Sequence, residues 1–343
     1  LENIMLTFTL HRTFPRSDDL ALAWNALLSE SILDVPFLRY EYLSTWWETR
    51  GGGEWPPSSE LVLVLAQRNG DLAGIAPLFF APNRQGEPAL LLLGSIEISD
   101  YLDLIVRPAD LAEFVNGLLK VLLALPFSWR LLDWHNLFED SPTLSVLEAE
   151  AVRLGWRVEQ EQTYRAPYIP LPGDFETYLA RLDKKQRHEI RRKLRRAHES
   201  GRVDWYIVQD EATLDAEIEA FLELMAEDPE KAAFLTDVMR SQMRRSVHAA
   251  FRAGWLQLAF LTVEGEKAAG YLNFDYRHRI WVYNSGLNRR FLELSPGWVL
   301  LAHLLKWANE NGRSEFDFMR GTEEYKYRFG GVDRRLKRIA VWR

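Results

Sequence analysis

The sequence predicts an α/β protein made of two tandem copies of one fold, and three observations carry that reading. Two apolar hairpins recur, Leu61–Ala66 with Ala73–Phe80 around Asn69-Gly70-Asp71, and Trp255–Val263 with Ala268–Phe274 around Glu264-Gly265-Glu266. Each is followed by the same series, a strand, a helix, and a strand ending in Asp and an aromatic residue, Leu132-Asp133-Trp134 and Phe316-Asp317-Phe318. Both second hairpin strands also contain Ala-Gly, at Ala73-Gly74 and Ala269-Gly270. A length of 343 residues exceeds one typical core and fits two domains.

Taken in order, Ser17–Leu28 and Tyr40–Thr49 read as helices, and Gly51-Gly52-Gly53 with Pro56-Pro57 as a flexible loop. The first hairpin leads to a strand at Leu90–Leu93 and a helix at Leu111–Ala124. Pro167, Pro170 and Pro172-Gly173 break helix propensity, which puts the boundary near Ala166 and gives domains 1–165 and 166–343. Phe175–Glu199, Leu214–Ala226 and Ala232–Ala253 then read as helices before the second hairpin. After the strand Ile280–Ser285, Ser295 suits a helix N-cap and Pro296 the first helical position. Gly297 permits close approach of a ligand to the backbone there. Trp298, Leu301, Leu304, Leu305 and Ala308 form one apolar face until Asn311-Gly312 ends the helix, and Glu315–Phe318 is the next strand. A strand, an exposed helix start and a crossover to another strand form an arrangement that holds phosphate or pyrophosphate.

Composition narrows the function. The net charge of -7 argues against general DNA binding, which needs a broad basic surface. With no cysteine there is no thiol nucleophile or thiolate metal site, and the seven histidines lack paired metal-ligand spacing, so no metal is expected. Leu1–Arg16 has no basic leader with an apolar stretch, and no apolar window approaches the ~20 residues of a spanning helix. Cytoplasmic residence is the expectation.

The segment Lys184–Arg196 holds eight Lys or Arg residues against Glu189 alone. At about 100° per residue, Leu182, Gln186, Ile190 and Leu194 make one stripe and Lys184, Arg187, Arg191 and Arg195 the opposite face. Such a face is a solvated surface or a site for an anionic substrate, with Lys185, Arg187 and Arg191 as contacts; attraction to a membrane surface is a weaker third reading, since the apolar stripe is narrow.

Five strings in order carry a family resemblance: Gly74-Ile-Ala-Pro-Leu, Ser99-Asp-Tyr-Leu-Asp-Leu, Leu182-Asp-Lys-Lys-Gln-Arg-His-Glu-Ile-Arg-Arg, Leu294-Ser-Pro-Gly and Tyr325-Lys-Tyr-Arg-Phe-Gly. Together they resemble the CelD-like acetyltransferases of the GNAT superfamily, which are similar in turn to the Fem-type peptidyltransferases with their tandem GNAT folds. The resemblance implies two GNAT-like domains, each a mixed, mostly antiparallel sheet flanked by helices. It implies acyl transfer from acetyl-CoA or another acyl-CoA to a saccharide or cell-envelope precursor. The family's Q/R-x-x-G-x-G/A loop corresponds here to Arg290–Trp298, which has one glycine and a different spacing. The first half has no glycine before its helix, so donor binding is expected in the second half and an acceptor or structural role in the first.

Direct acyl transfer needs a base for the acceptor, donors for the oxyanion and an acid for the leaving group. Asp317, Tyr325 and Asp100 are the catalytic candidates. Ser295, Pro296, Gly297 and Trp298, with Tyr283 and Ser285 on the preceding strand, are the donor-binding candidates. Asp100, Tyr101 and Asp103 in a strand-like segment, Lys185, Arg187 and Arg191, and Lys326 and Arg328 are the acceptor-binding candidates. Glu323 and Glu324 are further loop carboxylates, and Trp46, Trp47, Trp134 and Trp281 are available for stacking on sugars. Two alternatives stay open. One is a Fem-type transferase using aminoacyl-tRNA, the reading under which tRNA would be a partner. The other is a non-catalytic saccharide-binding or assembly protein.

Overall fold

The computed structural model describes residues 5–343, so the opening of the Leu1–Arg16 stretch lies outside the described residues. Two compact units divide between Tyr164 and Arg165, and Arg335–Arg343 belongs with the first. The first unit runs β1 (Thr7–His11), α1 (Asp18–Leu28), α2 (Tyr40–Gly53), β2 (Glu60–Arg68), β3 (Asp71–Pro82), β4 (Pro88–Leu92), β5 (Ile105–Val106), α3 (Leu111–Leu123), β6 (Leu131–Phe138), α4 (Pro142–Arg153) and the start of β7 (Arg157–Pro170). After the end of β7, the second holds α5 (Phe175–Arg181), α6 (Lys184–Glu199), β8 (Val203–Ile207), α7 (Glu211–Ala226), α8 (Pro229–Phe234) and α9 (Asp237–Arg252). It continues with β9 (Leu256–Val263), β10 (Glu266–Tyr276), β11 (Arg279–Leu287), α10 (Pro296–Glu310), β12 (Glu315–Asp317), α11 (Glu324–Arg328) and the start of β13 (Val332–Trp342).

The two units repeat one topology. In the first, β1, β2, β3 and β4 pair antiparallel in sequence order, and β6 returns parallel to β4 after the crossover helix α3. In the second, β8 to β11 pair antiparallel and β12 returns parallel to β11 after α10. Both hairpin turns have two residues at positive φ, Asn69 and Gly70 in one and Glu264 and Gly265 in the other, the conformation that matches strand twist. The next strand in each series comes from elsewhere in the chain: β13 pairs antiparallel with β6, and the end of β7 pairs antiparallel with β12. The tail from Arg335 thus departs from a single division near Ala166. Pro167 and Pro170 also sit within β7, where Pro167 lacks only the donor and its carbonyl still accepts the Phe318 N–H at 2.9 Å.

Two expected helices are each broken in two. Phe175–Glu199 splits where Leu182 is extended and the Asp183 carboxylate caps α6 through the Gln186 N–H at 3.0 Å. Ala232–Ala253 splits at Leu235-Thr236, where Thr236 caps α9 through Met239. The glycine run expected as a flexible loop ends α2 instead, with Gly51 and Gly52 buried. The second unit's core lies under α10, where Val299, Leu301, Leu304, Leu305 and Ala308 pack with Ile280, Val282 and Phe316. Trp46, Trp134 and Trp281 are fully buried and Trp47 nearly so, which makes them core rather than sugar platforms. Among the described residues no helix is long and apolar enough to cross a membrane.

The segment Asp100–Asp103, expected as strand-like, is irregular, and its role is internal. Tyr101 is fully buried and stacks on Phe138 at 4.6 Å, while Asp100 is half-buried. Asp103, 1% exposed, accepts hydrogen bonds from Ser141 Oγ and Thr143 Oγ1, both at 2.5 Å, and from the Leu104 N–H at 2.8 Å. It thereby anchors the first turn of α4, and Tyr101 and Asp103 are withdrawn as acceptor contacts. Burial pushes the Asp103 carboxyl up to about 6 against the hydroxyl and amide donors that pull it down. A carboxyl raised in the fold stabilises it fully below the unfolded value near 4, and that contribution is lost as pH rises through about 6. Denaturant titrations between pH 4 and 7 are expected to show a smaller fall in stability with pH for Asp103→Asn than for the parent chain; parallel curves would refute the assignment.

Candidate functional site

The opening in the second sheet starts where β12 ends. Its last residue, Asp317, is fully buried and accepts the Met319 N–H at 2.7 Å and Arg334 Nη1 at 2.8 Å. Met319 turns to positive φ and the Phe318 N–H goes to Pro167 on β7, so β12 stops after three residues. Its parallel ladder with β11 covers only Arg279–Trp281 against Glu315–Asp317. Immediately beyond, β11 bulges: Val282 faces Asn273 and Asn284 faces Leu272, leaving Tyr283 as the extra residue. A bulge bends its strand and raises the local twist, so from Val282 to Leu287 one edge of β11 runs on past the ladder.

Side chains gather at that edge. Lys231 of α8 donates from Nζ to the Ser285 carbonyl at 2.5 Å, and the Ser285 N–H goes to Asn284 Oδ1 at 2.8 Å. Gly286 lies so close to α7 that a Cβ there would sit 2.6 Å from the backbone of Leu224 and Met225. A cavity of about 280 Å³ opens beside these groups, lined by Asp228, Lys231, Ser285, Gly286, Leu287 and Arg289 among others. Burial lowers the Lys231 pKa, opposed by the nearby carboxylates of Asp228 and Glu323. Glu323 also raises the pKa of Tyr325, whose larger cause is burial, and Tyr325 in turn acts on the buried Tyr271. Lys231, Glu323, Tyr325 and Tyr271 are therefore electrostatic neighbours at the end of β11. Lys231 and Tyr271 carried no motif signal in the sequence, because α8 and β10 meet only through the fold.

Several expected ligand contacts are engaged internally. Asp317 is committed to Arg334 and to the Met319 amide, which withdraws it from the role of base. Lys326, 3% exposed, directs its ammonium at the Arg320 carbonyl (2.7 Å), the Gly321 carbonyl (3.3 Å) and Glu323 Oε2 (2.9 Å), so it holds the loop that carries Glu323. Gly321 is required there, since a Cβ would meet Glu323 Oε2 at 2.4 Å and its φ is +106°. Arg328 pairs with Glu324 one turn earlier in α11, at 2.6 Å. Tyr283 packs on Phe274 at 5.0 Å and remains half-buried.

The start of α10 differs from the expected anion cradle. Ser295 occupies the N-cap position in the left-handed region, φ 52° and ψ 51°, and its side chain caps nothing. Its carbonyl takes the N–H groups of Trp298 (3.0 Å) and Val299 (3.1 Å), and Pro296 has none to give. Gly297 is the remaining backbone donor, and the Leu287 side chain lies 2.8 Å from where its Cβ would be. Trp298 packs on Phe329 at 4.8 Å with Lys193 over its ring at 4.0 Å. On α6, Arg191 pairs with Glu176, Arg192 and Lys193 with Glu189, and Arg195 with Glu199 at 3.8 Å. Among the described residues Lys184, Lys185, Arg187 and Arg196 have no carboxylate partner; Lys185 is exposed and Arg187 reaches the Ala180 carbonyl at 3.4 Å. Among the described residues no group of three or more His, Asp or Glu is placed to hold a metal ion.

Residues 184–327 match the family model described as an acetyltransferase (GNAT) domain. No curated protein matches the chain. Among solved structures the chain is similar to FemX, at 13% identity and a TM-score of 0.64, over 96% of each chain. A conserved protein of unknown function from Bacteroides thetaiotaomicron VPI-5482 matches at 13% identity and 0.58, over 98% of this chain and all of that one. A C-terminal domain ascribed to a lysylphosphatidylglycerol synthetase from Agrobacterium fabrum matches at 10% and 0.53, over 88% of this chain and 91% of that one. At these identities the likeness concerns the fold, which is GNAT-like.

If the Arg334–Asp317 pair closes β12, Asp317→Ala should lower stability by roughly 1–3 kcal/mol in urea titrations, the cost of leaving the Met319 amide unmatched and Arg334 with Glu315 alone. Stability equal to the parent chain would return Asp317 to the catalytic candidates.

Proposed function

We propose that the chain is a GNAT-type acyltransferase acting by direct attack, with the donor lying along the open edge of β11 in the second unit. The observation that carries this reading is the bulge at Tyr283 combined with the end of the β12 ladder at Trp281. An extended arm with amide groups can add to such an edge as a further strand would, by main-chain hydrogen bonding. An acyl-CoA, acetyl-CoA or a longer homologue, is the donor class that fits the family model and that edge. Its thioester supplies the activated acyl group.

The chain's own groups then divide the work. Glu323, more than half exposed and held by Lys326, is the carboxylate proposed to take the proton from the acceptor amine or hydroxyl. Tyr325 keeps its proton across the physiological range, because burial raises its pKa, and serves as a hydrogen-bond donor to the leaving group. Lys231 supplies positive charge beside Ser285, where charge develops on the acyl oxygen. Asp100 lies half-buried in the first unit and is given no part in this step. The acceptor is proposed to be an anionic saccharide or envelope precursor, with Lys185 and Arg187 as its cationic contacts.

A second reading, an aminoacyl-tRNA-dependent transfer of the Fem type, is favoured by one specific feature. The start of α10 offers a single free backbone donor to a pyrophosphate, whereas α6 retains several cations without carboxylate partners. Whole-chain likeness in fold to FemX supports the same reading.

Acetyl-CoA at about a hundred times its Kd is expected to raise stability by ~2.7 kcal/mol in thermal or urea unfolding. No response to any CoA thioester, together with binding of charged tRNA, would transfer the assignment to the second reading. In a transfer assay Glu323→Gln is expected to reduce kcat by roughly 10²–10³ with donor stabilisation intact. Undiminished turnover would remove Glu323 as base.

A further inference from the structure

A cleft of about 700 Å³ in the first unit, between the end of β1, α2 and the start of β2, belongs to none of the chemistry above. Its charged lining comprises three arginines, Arg12, Arg16 and Arg50, and two carboxylates, Glu48 and Glu60. Arg12 pairs with Glu60, and Arg16 with Glu48 at 2.6 Å. Arg50 is left over, and among the described residues no carboxylate pairs with it. Its guanidinium lies 3.5 Å over the Trp47 ring, Nη1 reaches the Trp47 carbonyl, and Nε is buried with no acceptor. Ser59 Oγ, on the same cleft, is likewise buried without a partner. Polar groups shielded from water are normally matched, so two orphans on one cleft call for a ligand that matches them.

The backbone is built to present Arg50. Arg50 is in the left-handed region at φ 53°, followed by Gly51, Gly52 and Gly53 at 68°, 72° and 91°. Anchors fix the run: the Arg50 carbonyl accepts the Trp55 N–H at 3.1 Å, the Gly52 N–H goes to Thr49 Oγ1 at 3.0 Å, and Gly51 lies against the Trp46 indole. A non-glycine residue held there costs on the order of 1 kcal/mol, and such strain clusters at ligand clamps. Glycine would serve the turn better, so the arginine side chain is the reason for tolerating it.

We propose that this cleft is a ligand site of the first unit, taking a small polar monocarboxylate of the sugar-acid type, with the carboxylate on Arg50. One unbalanced positive charge matches one negative charge on the ligand. A planar carboxylate suits a guanidinium edge, and the hydroxyls of Ser44, Ser59 and Thr13 with the two rim ion pairs suit ligand hydroxyls. The site is independent of the acyl-transfer reading.

Calorimetric titration of the whole chain with D-glucuronate tests it, with glucose and inorganic phosphate as comparators. Glucuronate is expected to bind at least about tenfold more tightly than either. Arg50→Gly is expected to abolish that binding while the melting temperature holds or rises, because glycine relieves the left-handed strain. Arg50→Lys should retain only part of the affinity. Glucuronate binding unchanged in Arg50→Gly, or absent from the parent chain at about 10 mM, would overturn the proposal. Tighter binding of phosphate than of glucuronate would overturn the carboxylate assignment.

Discussion

One guanidinium governs where the second sheet opens. Arg334 spans Glu315 at 2.5 Å and Asp317 at 2.8 Å, both on β12, and lies 3.6 Å over the Tyr168 ring on β7. Because Asp317 is fully buried, its charge requires that partner, and because the same carboxylate captures the Met319 amide, the strand cannot continue. The short β12, the early end of its ladder with β11 and the cluster around Ser285 all follow from this termination. A buried carboxylate that looked like a catalytic group is thus the device that ends β12.

The repeat was legible because its signals are local. Asn-Gly and Glu-Gly turns between apolar runs, the 3.6-residue periodicity of α3 and α10, and the strand after each helix all lie within windows of a dozen residues. The exchanged strands were not legible. β7 contains prolines that read as a domain boundary, and β13, with Arg334, Arg335, Lys337 and Arg338, offers no clear strand signal, since pairing partners far along the chain leave no periodic mark. The split of Phe175–Glu199 was visible in principle. Asp183 three residues before Gln186 is a cap signal that the strong basic periodicity obscured.

At the site, residue types were easier to read than their employment. Glu323 acts electrostatically on both Tyr325 and Lys231, whereas Lys326 and Arg328 spend their charge within the same short segment. The Glu324 to Arg328 pair was readable from its i,i+4 spacing. On α6 the acids within reach of Lys185 and Arg187 are already engaged, Glu189 by Arg192 and Lys193 and Asp183 by the helix cap. That arithmetic separates the paired part of the basic face from the part without carboxylate partners among the described residues. A count of lysines and arginines cannot make the distinction.

The start of α10 bears on what kind of donor the second unit can hold. A pyrophosphate is gripped when several amides converge on it, and each amide turned inward removes a share of that grip. The Ser295 carbonyl takes two of the first amides, proline removes another, and the Leu287 side chain lies against Gly297, which carries the fourth. On the proposed acyl-transfer reading, recognition in this unit therefore rests on the arm of the donor along β11 and on side chains such as Arg289, more than on its charged tail. An open backbone edge reads amide spacing and is indifferent to what lies beyond it, so a donor held in the proposed way is free to vary at the nucleotide end. On the same reading, the small cavity beside Lys231 and Ser285, with side-chain walls on the α7 and α8 side, is the proposed place where the acyl group and the acceptor are told apart.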